Sequence, residues 1–522
     1  MQGAEPVSPQ DLRSFIETCK EVSDWREIRN ADWKFEIGAL TEAAAELIPQ
    51  PPLLIFDEIK GYPPGFRLLS LPLASYKRAA VALGLPPEKS KLELLRLAAR
   101  KFKEAKPIPP REVSYGPVME NVMTEKDIDL LRFPAPLFHE GDGGRYIGTG
   151  VVMVNQDPKS GYVNLGTYRM QVHERNLLGL WMSPGQHGRL ICQDYWARGE
   201  SCPVVATFGG DILTFMASHT KIPWGRSELD FVGGLRGNPL EVIKGRFSGL
   251  PIPAYAEIAI EGEAPPPNVE ARDEGPFGEW PGYYSGGTRG TGEPQPVIRV
   301  KSIYHRNDPI LVNSAPLWPG ANQNDLPIAA GLLWDQLESA GIQDVVGVYC
   351  YSNYLWVVAI RQRYPGHAKQ AGLAVLACSA AVRNGRYVVV VDEDIDPTNL
   401  KEVLWAMMTR VDPATNIELM DQCWSTPLDP RMPPDRRVSG DHTNSRAVFL
   451  AVRPFEWRDK FPVPSRSSRS LREQVVDKYK SILPFPPVPT SFVTSWFRNC
   501  HPCLLSICFD EFALLTSQTQ SL

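Results

Sequence analysis

Two glutamates close a short, stiff segment of this chain. The segment reads Glu274-Gly-Pro-Phe-Gly-Glu279. Its two glycines permit backbone angles that are closed to other residues, and Pro276 fixes its own φ, so we expect a turn that holds both carboxylates in one geometry. Carboxylates held in this way can take different pKa values, so that one stays charged while the other delivers a proton. The segment therefore predicts acid–base chemistry.

Three polar segments lie upstream of this turn. They are Asn164-Leu-Gly-Thr-Tyr-Arg169, Ser183-Pro-Gly-Gln-His187 and Ser227-Glu228. An amide, an imidazole and a carboxylate together suit a divalent ion such as Mg²⁺ or Mn²⁺ with phosphate completing its shell, and Arg169 can bind a carboxylate through two parallel hydrogen bonds. Taken singly, Arg169 is more often an ordinary ion-pair partner and His187 an ordinary hydrogen-bonded histidine. Only the combination indicates a site.

The ordered set of these segments resembles the UbiD family of decarboxylases, which use prenylated flavin mononucleotide (prenylated FMN). Family members carry an Asn-x4-Arg segment, a Pro-x-x-His type element, a Ser-Glu element and a Glu-Gly-Pro-[Phe/Tyr]-Gly-[Glu/Asp] turn in this order. All of them occur here, and the resemblance runs from about Asp11 to about Pro484, including Tyr-Pro-Gly-His-Ala-Lys at 364–369. The resemblance implies a carboxy-lyase.

The resemblance also implies which residues bind the cofactor. Asn164, His187 and Glu228 would be the ligands of a divalent metal, Mn²⁺, that joins the cofactor phosphate to the protein. A monovalent cation such as K⁺ would lie beside Glu228. The residues implied to contact the cofactor are Thr149, Asn164, Arg169, Gln186, His187, Ile222, Pro223, Glu228 and Lys369.

The implied catalytic network consists of Arg169, Glu274 and Glu279. Loss of carbon dioxide from an sp² carbon leaves a carbanion that no side chain can delocalise, so a cofactor must accept the electrons while the protein binds, orients and protonates the substrate. Arg169 would hold the substrate carboxylate, and Glu274 would orient Arg169. Glu279 would donate the proton, which requires a raised pKa in an apolar pocket beside Phe277 and Trp280.

Composition limits the classes of protein to which this chain can belong. A chain of 522 residues with 43% hydrophobic and 22% charged residues predicts two or three domains. The net charge of −5 excludes broad attraction to nucleic acid or to an anionic membrane surface. Nine scattered cysteines, an odd number, favour free thiols in a reducing cytosol. The first residues lack the basic and apolar regions of a secretory signal, so we expect a cytoplasmic enzyme.

The predicted secondary structure changes in character twice along the chain. Helices begin it, one capped by Ser8 with Pro9 at its first position and another over 90–104. Short strands follow and predict an antiparallel barrel or sandwich, with helical pieces at 176–180 and 186–198; from about 325, helices alternate with strands, as in an α/β domain with a parallel sheet. With the resemblance, the predicted domains are an N-terminal α/β region at 1–115, a split β-barrel of flavin-reductase-like shape that binds prenylated FMN at 116–312, a C-terminal α/β dimerisation domain at 313–485 and an atypical, disordered tail at 486–522.

Three functions remain open at this stage. The first is non-oxidative, reversible decarboxylation of α,β-unsaturated or (hetero)aromatic acids by a homodimer or higher homo-oligomer that obtains its cofactor from a flavin prenyltransferase. Bulky Tyr168 and Trp280 favour a flat aromatic acid at least as readily as a cinnamic one. A flavin oxidoreductase on a split barrel would not need the network of Arg169, Glu274 and Glu279. An inactive partner subunit of a decarboxylase is disfavoured by the intact set of ligands.

Overall fold

The computed structural model describes residues 7–285, 294–317, 326–465, 467, 469–479 and 481–482. The chain divides into two compact units, Met1–Asp459 and Lys460–Leu522. The helices are α1 Leu12–Val22, α2 Glu36–Leu47, α3 Tyr76–Leu83, α4 Lys91–Glu104, α5 His187–Trp196, α6 Ile212–Ser218, α7 Glu228–Arg236, α8 Ile328–Ser339, α9 His367–Ala377, α10 Leu400–Arg410, α11 Pro434–Ser439 and α12 Arg469–Tyr479, the last in the second unit. The predicted tail at 486–522 lies outside the described residues.

All strands found in the described residues lie in the first unit. They are β1 Trp25–Arg29, β2 Leu53–Asp57, β3 Arg67–Ser70, β4 Arg111–Glu112, β5 Asn121–Thr124, β6 Val151–Gln156, β7 Val163–Gly166, β8 Val172–Glu174, β9 Leu177–Gly179, β10 Cys202–Phe208, β11 Glu241–Lys244, β12 Pro251–Pro253, β13 Ile258–Ala264, β14 Ala271–Arg272, β15 Phe277–Gly278, β16 Tyr284–Ser285, β17 Gln295–His305, β18 Ile310–Val312, β19 Val345–Tyr351, β20 Leu355–Ile360, β21 Tyr387–Asp392, β22 Ile417–Trp424 and β23 Thr443–Ala451.

A nine-stranded antiparallel sheet forms the centre of the first unit. Its strand order is β7-β6-β10-β13-β17-β9-β8, and β5 and β14 also pair with β17. Within the described residues the end strands β7 and β8 do not pair with each other. The mixed α/β class is thus confirmed, whereas the split barrel is not, and the predicted domain boundaries remain predictions. The sheet carries Asn164 on its edge strand β7 and delivers Arg169 from the loop that leaves that strand.

The N-terminal elements show how local chemistry sets a helix boundary. Helix α1 is capped by Asp11, whose carboxylate accepts the Ser14 N–H at 2.8 Å in a capping box. The predicted cap at Ser8 was wrong, because the Ser8 hydroxyl instead donates to the distant Ala82 carbonyl. Helix α4 begins after Ser90 as predicted, with Ser90 accepting the Glu93 N–H.

The segment predicted as helical at 176–180 forms strand β9 instead. Its residues pair with β17, Leu178 opposite Ile298, and Leu178 is fully buried. A short apolar run satisfies either a strand or a helix, so a pairing partner more than a hundred residues away decided the outcome.

The C-terminal sheet has the order β19-β20-β21-β23-β22. Its three middle strands are parallel, as predicted, and both edge strands are antiparallel to their neighbours. Alternate valines of β21 enter different cores: Val388 and Val390 pack with α9, and Val389 and Val391 pack with α10. The sheet is therefore covered by helices on both faces. The loop between α9 and β21 extends towards the central sheet.

Candidate active site

A buried arginine is held between the two predicted glutamates. Arg169 Nε donates to Glu274 Oε1 at 2.8 Å, and Arg169 Nη2 donates to Glu274 Oε2 at 2.6 Å. Arg169 Nη1 donates to Glu279 and, at 3.0 Å, to the Ser285 hydroxyl. The side chains of Arg169 and Glu274 are 5% and 0% exposed. The structure therefore brings together all three residues predicted to be catalytic.

Aromatic rings cover the guanidinium of Arg169. Its central carbon lies 4.4 Å from the centre of the Trp181 ring and 5.3 Å from that of Phe277. Such faces attract a cation and exclude water, so the ion pairs act in a medium of low polarity. Arg169 thus keeps its charge in a site that is mostly closed to solvent.

The two glutamates occupy different positions in a small hairpin. Glu274 precedes β15 and Glu279 follows it, in the turn that leads to β16. Gly275 takes a φ of +84°, the left-handed region predicted for a glycine here, whereas Gly278 lies in β15 without such an angle. A Glu279 N–H···O=C Tyr283 bond of 3.0 Å closes the hairpin. The hairpin therefore holds Glu274 on one side, as a fixed counter-ion of Arg169, and the carboxyl group of Glu279 on the other side.

The environments of Arg169 and Glu279 shift their pKa values in ways that suit these roles. Burial disfavours the charged form of Arg169, but Glu274 and Glu279 keep the pKa of Arg169 above its ordinary value. Burial raises the pKa of Glu279, which Arg169 only partly offsets. Burial thus favours the protonated form of Glu279 more than in a carboxyl group exposed to water.

A second layer of contacts, not predicted from the sequence, holds the Glu274 segment. The Tyr146 hydroxyl donates to Glu274 Oε1 at 2.8 Å, and Gln171 Oε1 accepts the Gly275 N–H at 2.9 Å. Gly143 packs so closely that a Cβ built on it would lie 1.9 Å from the Gly275 carbonyl oxygen. The turn is thus fixed from three sides before any ligand binds.

Trp280 and Tyr168, which the sequence analysis took to favour a flat aromatic acid, each contact a residue of the protein. The Trp280 ring centre lies 4.9 Å from that of Tyr354. The Tyr168 hydroxyl accepts the Gly188 N–H at 3.0 Å. These contacts do not test the substrate, so the aromatic or heteroaromatic acid remains a prediction.

The predicted metal ligands are joined by a shared hydrogen-bond network. Glu228 Oε2 accepts the Leu165 N–H at 2.9 Å, directly beside Asn164. Burial raises the pKa of Glu228 to about 7 and lowers that of His187, which favours the neutral imidazole that binds metals. Within the described residues no three His, Cys, Asp or Glu side chains form a metal site, but this set contains only two such residues and an amide. Oxygen and imidazole donors of this kind fit Mn²⁺ or Mg²⁺.

Two buried cations, missed by the sequence analysis, lie beside these residues. Lys221 donates to Gln186 Oε1, and burial with the nearby charge of Arg383 lowers the pKa of Lys221 to about 7. Arg383 is 5% exposed and donates to the Pro184 carbonyl at 3.3 Å, and burial lowers its pKa to about 10. Its Nε is buried with no hydrogen-bond partner among the described residues. The unpartnered Arg383 Nε is a donor that an anion such as phosphate could satisfy.

The remaining predicted cofactor contacts divide into two groups. Ile222 and Pro223 directly follow Lys221, Ile222 buried and Pro223 exposed. The Thr149 hydroxyl hydrogen-bonds Asn313 and donates to the Ser314 carbonyl at 3.0 Å. Lys369 lies on α9 with a side chain 48% exposed and forms an ion pair with Glu418. Ile222 and Pro223 thus lie next to one of the buried cations, whereas Lys369 pairs with Glu418 instead.

Comparison with known proteins shows the family. Three models match in order: the N-terminal domain of 3-octaprenyl-4-hydroxybenzoate carboxy-lyase over residues 16–98, its Rift-related domain over 111–318 and its C-terminal domain over 326–451. The chain is 31% identical over 435 residues to a phenolic acid decarboxylase of Bacillus subtilis, covering 81% of this chain and 89% of the relative. The chain belongs to the UbiD family. This UbiD-class protein is accordingly a carboxy-lyase.

Two further relatives extend the comparison. The pyrrole-2-carboxylic acid decarboxylase of Pseudomonas aeruginosa is 29% identical over 501 residues, which is 90% of this chain and 98% of the relative. The UbiD-class enzyme HmfF of Pelotomaculum thermopropionicum, solved with FMN, superposes with a TM-score of 0.77 at 26% identity, covering 90% of this chain and all of HmfF. The UbiD-class fold and the decarboxylase class are therefore confirmed.

The acidic run at 392–394 is structural. Arg410 pairs with Asp392 at 3.0 Å and with Asp394 at 2.7 Å, and the Arg453 N–H donates to Asp392 at 2.7 Å. Two guanidinium groups already neutralise these carboxylates, so a metal is not needed there.

None of the helices in the described residues is long and apolar enough to cross a membrane.

Proposed function

We propose that this UbiD-class enzyme catalyses the non-oxidative, reversible decarboxylation of an α,β-unsaturated or (hetero)aromatic acid with prenylated FMN. The observation that carries the proposal is the buried Arg169 between Glu274, which binds it twice, and Glu279, whose pKa is raised. An oxidoreductase has no use for a proton donor beside a carboxylate-binding arginine. An inactive partner subunit has no use for either group.

Arg169 supports substrate binding through its donors. A guanidinium has five N–H groups, and the contacts with Glu274, Glu279 and Ser285 use four of them. The remaining N–H, on Nη2, is available to a substrate carboxylate. Because Glu274 fixes the plane of the guanidinium, the carboxylate is held in one orientation relative to the bound cofactor.

Glu279 supplies the proton that replaces the departing carboxyl group. It lies on the other side of Arg169 from Glu274, so the acid and the carboxylate-binding group share one guanidinium. The bound cofactor supplies the electron sink that amino-acid side chains lack. In the reverse reaction the same glutamate takes the proton from the substrate carbon.

Two groups of residues would hold the cofactor. Asn164, His187 and Glu228 would bind Mn²⁺, with K⁺ beside Glu228, and the metal would bind the cofactor phosphate. Lys221 and Arg383 would neutralise that phosphate, a role supported by their burial and by the unpartnered Arg383 Nε. The solved relative HmfF is described with FMN and, in an evolved dimeric form, with prenylated FMN.

The partners follow from the same proposal. The relatives named for phenolic and pyrrole-2-carboxylic acids favour an aromatic or heteroaromatic acid as substrate, and a flavin prenyltransferase would provide the cofactor. The homodimer is supported by α10, whose outer face exposes Leu404, Trp405 and Met408, the last 77% exposed. The six described cysteines are all free, as a cytoplasmic enzyme requires.

The test compares protein produced with and without a flavin prenyltransferase. Each preparation is offered pyrrole-2-carboxylate, vanillate and 3,4-dihydroxybenzoate, and released carbon dioxide and the mass of the bound flavin are measured. We expect carbon dioxide only from the first preparation, together with the mass of prenylated FMN. Equal activity in both preparations would refute the prenylated cofactor, and substrate oxidation without carbon dioxide would favour a flavin oxidoreductase.

A further inference from the structure

Asn155 lies directly opposite Asn164, in the neighbouring strand. The two asparagines are register partners in the antiparallel pair of β6 and β7, and Asn155 is fully buried. We infer that Asn155 is a positioning residue of the cation site, which fixes the atom that Asn164 turns towards the cation. This inference rests on the proposed function, which makes Asn164 a ligand.

A chain of hydrogen bonds sets the orientation of both amides. Asn155 Nδ2 donates to the Gly188 carbonyl at 2.9 Å, and because a carbonyl only accepts, the Asn155 amide has one possible orientation. Its Oδ1 therefore faces β7, where it accepts from Asn164 Nδ2 at 3.1 Å. A flipped Asn164 amide would bring two oxygens together. Asn164 must consequently direct its Oδ1, the atom able to bind a cation, away from Asn155.

Tyr168 provides a second restraint on the same amide. Its hydroxyl accepts the Gly188 N–H at 3.0 Å and lies beside the Asn164 amide. Glycines make room for this phenol, because a Cβ on Gly166 or Gly188 would lie 2.3 Å or 2.7 Å from Tyr168 ring or hydroxyl atoms. Asn155 and Tyr168 thus both contact the backbone that follows His187 and the side chain of Asn164. They hold two of the proposed ligands in a fixed relation.

This arrangement matters because the two ends of a side-chain amide are nearly equal in size but opposite in polarity. An Asn164 that rotates freely would present its NH₂ group to the cation for part of the time, and that group repels a cation. Loss of a residue that orients a metal ligand typically costs about 10- to 100-fold in metal affinity. Asn155 contacts neither the cation nor the flavin in this scheme, so any effect must pass through Asn164 or the backbone at Gly188.

The experiment measures Mn²⁺ affinity rather than turnover. Mn²⁺ is titrated into FMN-loaded protein, and free Mn²⁺ is followed by its electron paramagnetic resonance signal. We expect Asn155→Leu to bind Mn²⁺ about 10- to 100-fold more weakly than wild type. Thr207→Val is the matched control, because Thr207 is equally buried in the neighbouring strand β10 and bonds the Val152 carbonyl instead. Asn155→Asp keeps an acceptor for Asn164 but loses the donor to the Gly188 carbonyl, so its affinity should lie between those of wild type and Asn155→Leu.

The outcomes separate this inference from the proposed function. Wild-type protein that, loaded with FMN, binds no Mn²⁺ would overturn the proposed cation site and the inference together. Unchanged Mn²⁺ affinity in Asn155→Leu, or equal losses in Asn155→Leu and Asn155→Asp, would overturn the inference alone. If Asn155→Leu does not fold, Tyr168→Phe removes the second restraint with almost no change of shape, and we expect it to weaken Mn²⁺ binding. Unaltered binding in that variant would then count against the inference.

Discussion

Replacing the two glutamates of the network one at a time should produce opposite defects. Glu274→Gln removes the fully buried partner that binds Arg169 at 2.8 and 2.6 Å. Arg169 would keep Glu279, which accepts from a single nitrogen of the guanidinium. Breaking one half of a buried ion pair typically costs about 3–5 kcal/mol, so Glu274→Gln should lower the free energy of unfolding by an amount in this range.

Glu279→Gln should instead leave the fold nearly intact. Its amide oxygen can still accept from Arg169, and Arg169 keeps both bonds to Glu274, so the loss of stability should stay below about 1.5 kcal/mol. Turnover, however, should fall by about 10²- to 10⁴-fold, because an amide cannot donate a carboxylic proton. The matched control is Ser285→Ala, which removes a neutral 3.0 Å bond to the same Arg169 nitrogen and leaves both carboxylates in place.

Three measurements decide between these expectations. Thermal and urea unfolding report stability, carbon dioxide release from the loaded enzyme reports turnover, and NMR of the decarboxylated product in heavy water reports deuterium delivery to the carbon. A Glu279→Gln enzyme that delivers deuterium as fast as wild type would show that another group is the acid. A Glu274→Gln protein as stable as wild type would show that Arg169 does not depend on the buried pair.

Further predictions concern protonation, the phosphate and assembly. Because burial raises the pKa of Glu279 and the protonated form is the active one, turnover should fall as pH rises through that pKa and should be retained below it, a limb that the pH profile of Glu279→Gln should lack. Lys221→Met and Arg383→Met should each weaken FMN binding about tenfold or more, at about 1.5–3 kcal/mol per charged contact, but leave riboflavin binding unchanged in fluorescence titrations. Lys369→Met should change neither, and a selective loss of FMN in that variant would restore the role that the resemblance gave to Lys369. Met408→Glu should reduce the mass measured by light scattering if α10 forms the homodimer contact.

The residues proposed to be catalytic could be singled out from the sequence because they are concentrated in short segments. The Glu274–Glu279 turn consists of six consecutive residues, and in the structure both glutamates pair with one arginine. Arg383 could not be found in this way. It reaches the central sheet from a loop of the C-terminal sheet, a contact across 199 residues of sequence. Only the packing of the two sheets brings it to Pro184.

The wrong predictions of secondary structure have a common origin. Ser8 was predicted as a helix cap from the local Ser-Pro pair, whereas its hydroxyl donates to the distant Ala82 carbonyl. The strand at 177–179 was predicted as helix because its partner β17 is distant in sequence. Local patterns therefore predicted residue chemistry well, and they failed where a long-range contact chose between two locally acceptable conformations.

The close approach of Gly143 to the Gly275 carbonyl has a consequence for the evolution and engineering of this enzyme. No side chain fits at position 143, because even a Cβ would lie 1.9 Å from that backbone oxygen. In a saturation library selected for turnover, position 143 should tolerate glycine alone, although it touches no proposed ligand. A position with no side chain would then be as intolerant of substitution as Arg169, and substrate-range engineering that varies the 139–143 loop should leave its last residue unchanged.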